Sequence, residues 1–164
     1  MIISDKVYGE QIIDDPLVLE LIKTQEMQRL KDVNQYGSYH LVDPSAFTSR
    51  FDHSLGVYFL LKKLKAPREE QISGLLHDIA HTAFSHVIDF VYNAADTQHI
   101  HEGFHEKVLQ NSEIPAILKK FNLDVKDISD ESRFPLLENK LPDICADRID
   151  YYLRDNLLMG FITK

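Results

Sequence analysis

The chain has 164 residues, of which 44% are hydrophobic and 27% charged, with six glycines and six prolines. This composition argues against a disordered or fibrous protein and predicts one compact domain with a real core, and the single cysteine excludes an internal disulfide or a four-cysteine zinc site. Eighteen basic residues against 26 acidic ones give a net charge of −8, which disfavours a protein that coats nucleic acid.

Helices are predicted throughout the first half of the chain. The first begins at Pro16 and runs to about Leu30, because apolar residues recur there at helical spacing. Breaker and loop residues occupy 36–38 and 40–49. Two further helices are predicted over residues 54–64 and 68–81. The first of these is apolar on nearly every side, so we expect it to be largely buried.

The second half of the chain continues the helical pattern. We predict helices over residues 84–92, 102–109 and 114–121, then a charged stretch over 122–140 that Pro135 interrupts, and a last helix over 142–158. The sequence contains no internal repeat, low-complexity tract or alternating strand pattern. The predicted fold class is therefore all-α, in a single domain over residues 1–164.

The location of the protein is predicted from what the sequence lacks. The first 15 residues do not have the charged start and apolar run of a signal peptide, and no apolar segment approaches the length of about 20 residues that spans a membrane. We expect a cytoplasmic protein with no membrane partner and no nucleic-acid polymer as partner.

Histidines are concentrated in one part of the chain, because seven of the eight lie between His53 and His105. On the predicted helix 68–81, the face opposite the apolar stripe carries small, histidine and aspartate residues where a solvated face normally carries Lys, Glu or Gln. Adjacent imidazole and carboxylate groups can converge on one ion, and this pair favours Mn, Fe, Zn, Ni or Co over calcium, while Mg is also compatible. The residues of this face are Gly74, His77, Asp78 and His81.

Two other predicted helices offer further donors. His53 can lie beside His77 if the two helices are antiparallel neighbours. The last helix carries four charged residues on one stripe, at spacings of four, three and four: Asp143, Asp147, Asp150 and Arg154. Three carboxylates repel one another, so either a metal ion or arginines must compensate them. From these residues alone, a surface hydrogen bond or a solvated face with local salt bridges remains an alternative to a metal site.

The order of these residues is that of a known family. The series His53, His77-Asp78 and Asp147 resembles the HD-domain phosphohydrolases, and the flanking sequence is similar to their deoxynucleoside triphosphate triphosphohydrolase branch. The matching stretches are Gln28-Arg29-Leu30, Arg50 to Val57, Leu76 to His86, His101-Glu102 and Asp147 to Asp155. This resemblance implies a helical bundle with a divalent ion in its core, held by His53, His77, Asp78 and Asp147, and a metal-activated water as nucleophile.

The resemblance also implies roles for residues around the ion. Arg50 and His86 are expected on the phosphate chain, and His101, oriented by Glu102, is expected to transfer protons. His81 is expected either near phosphate or in a hydrogen bond that stiffens its helix, and His105 can replace His101 as the reactive histidine. Weaker assignments place Gln35 at the sugar and Arg148 and Tyr151 near phosphate and ribose, with core packing an equal alternative for Tyr151.

The function predicted first is a metal-dependent phosphohydrolase acting on a nucleotide or another phosphorylated small molecule. The alternative is a non-catalytic module that senses a nucleotide or binds it through the metal. Two weaker hypotheses are a helical interaction domain and an oxygen-activating di-iron protein, with His81 or His105 serving a second ion. Triphosphate-hydrolysing members of the family are generally longer, so the chain resembles a minimal member or the N-terminal part of a longer protein, and a homo-oligomer can supply a pocket wall.

Overall fold

The computed structural model describes residues 1–43, 46–83 and 99–163, and within this part the side chains of 99–103 are left out of the description. The described residues form eight α-helices, three short 3₁₀ helices and one two-stranded hairpin, which confirms the predicted all-α class. The predicted helix over 84–92 lies outside the described residues. None of the described helices is both long and apolar enough to cross a bilayer.

The elements follow one another along the chain with short connections. The hairpin consists of β1 (Ile2–Asp5) and β2 (Gly9–Ile12), and the 3₁₀ helices are Leu30–Asp32, Gly37–Leu41 and Glu131–Arg133. The α-helices are α1 (Pro16–Leu21), α2 (Gln25–Arg29), α3 (Arg50–Lys63), α4 (Arg68–Leu76), α5 (His99–Gln110), α6 (Ile114–Lys120), α7 (Val125–Ser129) and α8 (Ala146–Leu158).

The N-terminal hairpin is an element that the sequence pattern did not predict. Its strands are antiparallel, with Ile2 opposite Ile12 and Asp5 opposite Gly9, and each has only four residues. The turn is held by the Asp5 carboxylate, whose Oδ1 accepts hydrogen bonds from the amides of Val7 and Tyr8 at 2.7 and 2.8 Å. Four residues are too few for an alternating pattern to stand out, which explains the omission.

The first predicted helix, residues 16–30, is divided into α1 and α2. Thr24 lies at the division, where its hydroxyl donates to the carbonyl of Leu21 at 2.7 Å and accepts from the amide of Met27. A threonine that bonds to the backbone in this way caps a new helix rather than continuing the old one. The break turns the chain so that both short helices bury apolar residues in the same core.

Helix α3 lies at the centre of the molecule and contacts both α4 and α8. It begins at Arg50, four residues earlier than predicted, because the Ser49 hydroxyl accepts a hydrogen bond from the Asp52 amide at 3.0 Å. Every residue from His53 to Leu61 is buried, in agreement with the predicted burial of this helix. The early start places Arg50 and His53 in its first turns, on the side where α4 ends.

Helix α4 ends at Leu76, although the pattern predicted helix up to His81. The His77 ring donates from Nδ1 to the carbonyl of Gly74 at 2.8 Å, and the amides of Ile79 and His81 instead make three-residue turns onto Leu76 and Asp78. The ring therefore occupies a carbonyl at the helix end, which tightens the chain into turns. As a result, His77 and Asp78 leave the helix axis and face α3.

The last helix also differs from its prediction, since α8 begins at Ala146 instead of Pro142. The residues before it form turns that are held from α4, because the buried carboxylate of Glu70 accepts hydrogen bonds from the amides of Leu136 and Leu137 at 2.7 and 3.0 Å. The predicted loop over 122–140 contains α7 and the 3₁₀ helix Glu131–Arg133. The attachment to α4 sets the position at which α8 starts.

Candidate metal centre

The side chains of three elements meet where α3 begins, α4 ends and α8 begins. His53 Nε2 lies 3.3 Å from His77 Nε2 and 2.9 Å from Asp147 Oδ1, and His77 Nε2 lies 3.6 Å from the same carboxylate oxygen. These three donor atoms all fall within 4.8 Å of one another. Asp78 borders the group, with its oxygens 3.6 Å from His77 Nε2 and 3.9 Å from His53 Nε2.

Both imidazoles are fixed by a partner on their other nitrogen. His77 Nδ1 faces the Gly74 carbonyl at 2.8 Å, and His53 Nδ1 faces Asp150 Oδ2 at 2.8 Å. A carbonyl oxygen and an ionised carboxylate can only accept, so Nδ1 carries the hydrogen in each ring and the Nε2 lone pairs point toward Asp147. This outer support is typical of histidines that bind metal ions.

The electrostatics of the cluster match a bound cation. Burial alone would lower the pKa of His77, but the carboxylates of Asp78 and Asp147 raise it to about 10. Burial alone would likewise raise the pKa of Asp147, yet its hydrogen bonds to His53 and His77 hold it below its usual range. The carboxylates thus attract protons onto the rings, and a divalent ion at the same position satisfies the same field.

The donor set fits a transition metal and leaves it accessible. Two imidazole nitrogens with carboxylate oxygens are the ligands of Mn, Fe, Co, Ni or Zn, while a fully oxygen-lined site would suit calcium. His53 is 1% exposed, whereas the side chain of Asp147 is 25% exposed. The cluster is therefore closed behind His53 and open beside Asp147, where a water molecule and a substrate can approach.

Two further predicted residues lie against Asp78. Arg50 donates from Nη1 to Asp78 Oδ2 at 2.6 Å, and His81 Nε2 lies 3.1 Å from Asp78 Oδ1. Burial would raise the pKa of Asp78, but His77, His81 and Arg50 hold it well below its usual range. Arg50 is buried at the edge of the cluster, so any phosphate that it contacts must lie beside the proposed ion.

Arg148 is placed away from the cluster. Its guanidinium pairs with Glu138 and donates to the carbonyls of Asn139 and Asp143, both at 2.6 Å, so it holds together the turns that precede α8. The thiol of Cys145 lies 3.8 Å from Glu138 and groups with Glu138 and Asp147. Arg148 already supplies the cation that this second group needs.

The remaining predicted residues are distributed around the cluster. Gln35 has a buried Oε1 with no hydrogen-bond partner, and the neighbouring Tyr36 hydroxyl donates to Asp155 Oδ1 at 2.6 Å. Tyr151 is 37% exposed, which does not fit the alternative of core packing. His105 is buried and bonded through Nε2 to the Leu76 carbonyl at 3.0 Å, and burial lowers its pKa. His86 lies outside the described residues, as do the side chains of His101 and Glu102.

Several residues near the cluster were missed or only partly assigned from the sequence. Asp150 was placed on the acidic stripe without a role, although its spacing of three from Asp147 already put both on one face. Asp143, from the same stripe, lies in the exposed turns before α8. Glu131 was not considered, and burial raises the pKa of its carboxyl group to about 7 despite the opposing charge of His77. No sequence signal identified Glu131.

Comparison with known proteins adds independent information. A family model described as the HD domain matches residues 50–155. The chain is 47% identical over 164 residues to the uncharacterized protein YdhJ of Bacillus subtilis, covering 99% of this chain and 50% of that protein. It is 36% identical over 160 residues to the metal-dependent phosphohydrolase cns2 of Cordyceps militaris, covering 98% and 46%.

A more distant similarity concerns a protein named for its substrate class. The chain is 28% identical over 195 residues to the deoxynucleoside triphosphate triphosphohydrolase SAMHD1 homolog of Dictyostelium discoideum, covering 99% of this chain and 37% of that protein. The chain spans half the length, or less, of these three relatives.

Proposed function

The chain belongs to the HD-domain family, and we propose that it is a metal-dependent phosphohydrolase that acts on nucleotides. The observation that carries this proposal is the meeting of His53, His77 and Asp147 within 4.8 Å, with Asp78 at their border. Four groups from three separate elements would not be buried together with so many carboxylates unless a cation compensated them.

The four residues His53, His77, Asp78 and Asp147 would hold the ion, as the resemblance implies. A divalent transition metal, or Mg²⁺, polarises a phosphoryl oxygen and lowers the pKa of bound water, which supplies a nucleophile near neutral pH. The chain's own contribution is to fix both imidazoles through Nδ1 and to leave the side near Asp147 open.

Substrate binding is assigned to residues around this open side. Arg50 is expected to contact phosphate beside Asp78, because its planar guanidinium suits phosphate oxygens. The buried, unpartnered Oε1 of Gln35 is expected to accept a hydrogen bond from a sugar hydroxyl. His101, oriented by Glu102, is proposed to transfer the proton, with His86 on the phosphate chain.

The nucleotide class of substrate is the finer part of the proposal. It is supported by the flanking motifs and by the printed name of the Dictyostelium discoideum relative. The same proposal includes a single HD domain over residues 1–164, a cytoplasmic location, and no nucleic-acid polymer as partner. Which phosphate bond is cleaved is an outcome of the test.

The test is a panel of nucleoside mono-, di- and triphosphates and cyclic nucleotides, incubated with and without added Mn²⁺. We expect bound metal by mass spectrometry and metal-dependent release of phosphate, pyrophosphate or triphosphate. The double variant His77→Ala/Asp78→Ala should lose both, whereas Asp143→Ala, in the exposed turns before α8, should keep both. Metal and tight nucleotide binding without turnover would favour the sensing module, and a stable protein without metal would refute the proposal.

A further inference from the structure

A line of buried charged groups runs from the metal centre to the N-terminal hairpin. His53 Nδ1 faces Asp150 Oδ2 at 2.8 Å, and Arg154 donates from Nε to the same oxygen at 2.6 Å. Arg154 Nη2 then donates to Asp5 Oδ2 at 2.7 Å, and to Asp150 Oδ1 at 3.2 Å. All four side chains are at most 5% exposed. The line therefore joins β1 to a residue that would bind the ion.

Asp5 has a divided role in this line. Its Oδ1 accepts the amides of Val7 and Tyr8 in the hairpin turn, while its Oδ2 accepts from Arg154. The Tyr8 ring adds a second contact, since the Arg154 guanidinium lies 5.9 Å from its centroid. The turn of the hairpin thus fixes the Asp5 carboxylate, and that carboxylate fixes the far side of the guanidinium.

The space around Arg154 is shaped by a glycine on α3. A Cβ atom on Gly56 would lie 1.9 Å from Arg154 Nη2 and 2.1 Å from Asp150 Oδ1, which no real side chain tolerates. Arg154 and Asp150 are therefore pressed against the backbone of the helix that carries His53. Little room remains for Asp150 to turn while Arg154 stays bound to Asp5.

We propose that Asp5 is a positioning residue of the metal centre, acting through Arg154 and Asp150 on His53. This inference rests on the proposed metal site. The guanidinium holds the Asp150 carboxylate so that Oδ2 meets His53 Nδ1, which keeps the ring oriented with Nε2 toward the ion. One arginine between two carboxylates also leaves a net negative charge behind the ring, which strengthens it as a ligand. The hairpin, which lies outside the matched residues 50–155, is thereby part of the site.

The test is the metal affinity of the full chain carrying Asp5→Asn, measured by titration with Co²⁺. Asparagine keeps an oxygen for the turn amides but removes the charge that holds Arg154. We expect about 10- to 100-fold weaker binding, the usual effect of losing an outer partner of a metal ligand. The visible absorption bands of bound Co²⁺ should also shift, because the orientation of the His53 ring changes.

Two control variants separate positioning from hairpin stability. Asp14→Asn removes an exposed ion pair with Lys62 near the other end of the hairpin and should leave affinity and absorption unchanged. Gln11→Ala removes the hydrogen bond from its side chain to the Tyr8 carbonyl, within the hairpin but outside the line of charges. It should lower thermal stability without changing the Co²⁺ bands. Arg154→Lys, which keeps the charge but loses the fork, should reproduce the loss of affinity and serves if Asp5→Asn does not fold.

The outcomes distinguish this inference from the proposed function. If the wild-type chain binds no Co²⁺, the metal site itself is refuted and the inference falls with it. If the wild type binds and a folded Asp5→Asn variant has the same affinity and bands, only the positioning role is refuted. Equal losses in Asp5→Asn and Gln11→Ala would assign the effect to the hairpin as a whole and also overturn the inference.

Discussion

The Nε2 atoms of His53 and His77 lie 3.3 Å apart, although the residues are 24 positions apart in the chain. A metal–nitrogen bond is about 2 Å long, so one ion can bind both atoms with little movement of either ring. Each ring is held through Nδ1 by a different group, Asp150 or the Gly74 carbonyl. The geometry of the pair is therefore built into the fold before any ion binds.

A first prediction compares two buried histidines that differ in what they face. His77→Gln removes a proposed ligand and should weaken Mn²⁺ binding by at least about 100-fold. His105→Gln retains an N–H that can donate to the Leu76 carbonyl, so it should bind Mn²⁺ as the wild type does and lose about 1–2 kcal/mol of stability. Isothermal titration and chemical denaturation measure the two quantities. Loss of Mn²⁺ binding in His105→Gln alone would contradict the assignment.

A second prediction concerns the pH dependence of the metal-free protein. The pKa of His77 is raised from 6.5 to about 10 in the fold, so the folded chain keeps a proton that the unfolded chain releases. This contribution to stability is complete below about pH 6.5 and is lost as the pH rises through about 10. Metal affinity should increase over the same window, because the ion and the proton compete for one nitrogen.

The pH prediction is checked by melting temperatures between about pH 6 and about pH 9, with EDTA or with saturating Mn²⁺. The EDTA series should fall with rising pH, and the Mn²⁺ series should stay flatter. His77→Gln should remove much of the fall. His105→Gln should keep it, since burial lowers the pKa of His105 and moves its titration below this window. A pH-independent melting temperature in EDTA would refute the raised pKa.

A third prediction uses the close approach at Gly56. Gly56→Ala places a methyl group against Arg154 and Asp150 and should cost about 1–3 kcal/mol of stability, as overpacked sites do. It should also weaken metal binding, because Asp150 can no longer meet His53. Ile72→Val, fully buried in the core, should cost about 1 kcal/mol and leave metal affinity unchanged. Wild-type affinity in Gly56→Ala would show that the two residues can move without consequence.

A fourth prediction separates the two arginines that the resemblance placed at phosphate. Arg50→Gln should raise the KM for the nucleotide hydrolysed in the panel by about 10-fold or more, since it removes a charged donor beside the ion. Arg148→Gln should change KM less and instead cost about 1–2 kcal/mol of stability, with faster hydrogen exchange of the amides in residues 138–147. A larger KM effect in Arg148→Gln would restore its predicted phosphate role.

The sequence allowed prediction of the fold class and of the residues that meet at the centre. This was possible because His53, His77-Asp78 and Asp147 are chemically unusual for helix faces and occur in a recognisable order. The helix ends were predicted less well, because side-chain hydrogen bonds decided them. Thr24 divided the first helix, Ser49 started α3 early, and the His77 ring ended α4.

The support behind the centre was hardest to predict from the sequence. Asp5 meets Arg154 across 149 residues, in a hairpin whose strands are too short to show a pattern. Arg148 and Arg154 could each have compensated the acidic stripe, and only tertiary packing decides that Arg154 does so while Arg148 turns outward. A period along one helix predicts which residues share a face, but it does not predict which neighbour will cover that face.

The distance along the chain between His53 and its partners has a consequence for synthesis. Asp147 and Asp150 follow it by 94 and 97 residues, so during translation α3 is complete long before the carboxylates that enclose His53 exist. Such long-range contacts form late and expose apolar surface until they close. A ribosome-stalled chain that stops before α8 should therefore bind chaperones and no metal, and capture of the ion would mark the moment at which the last helix docks.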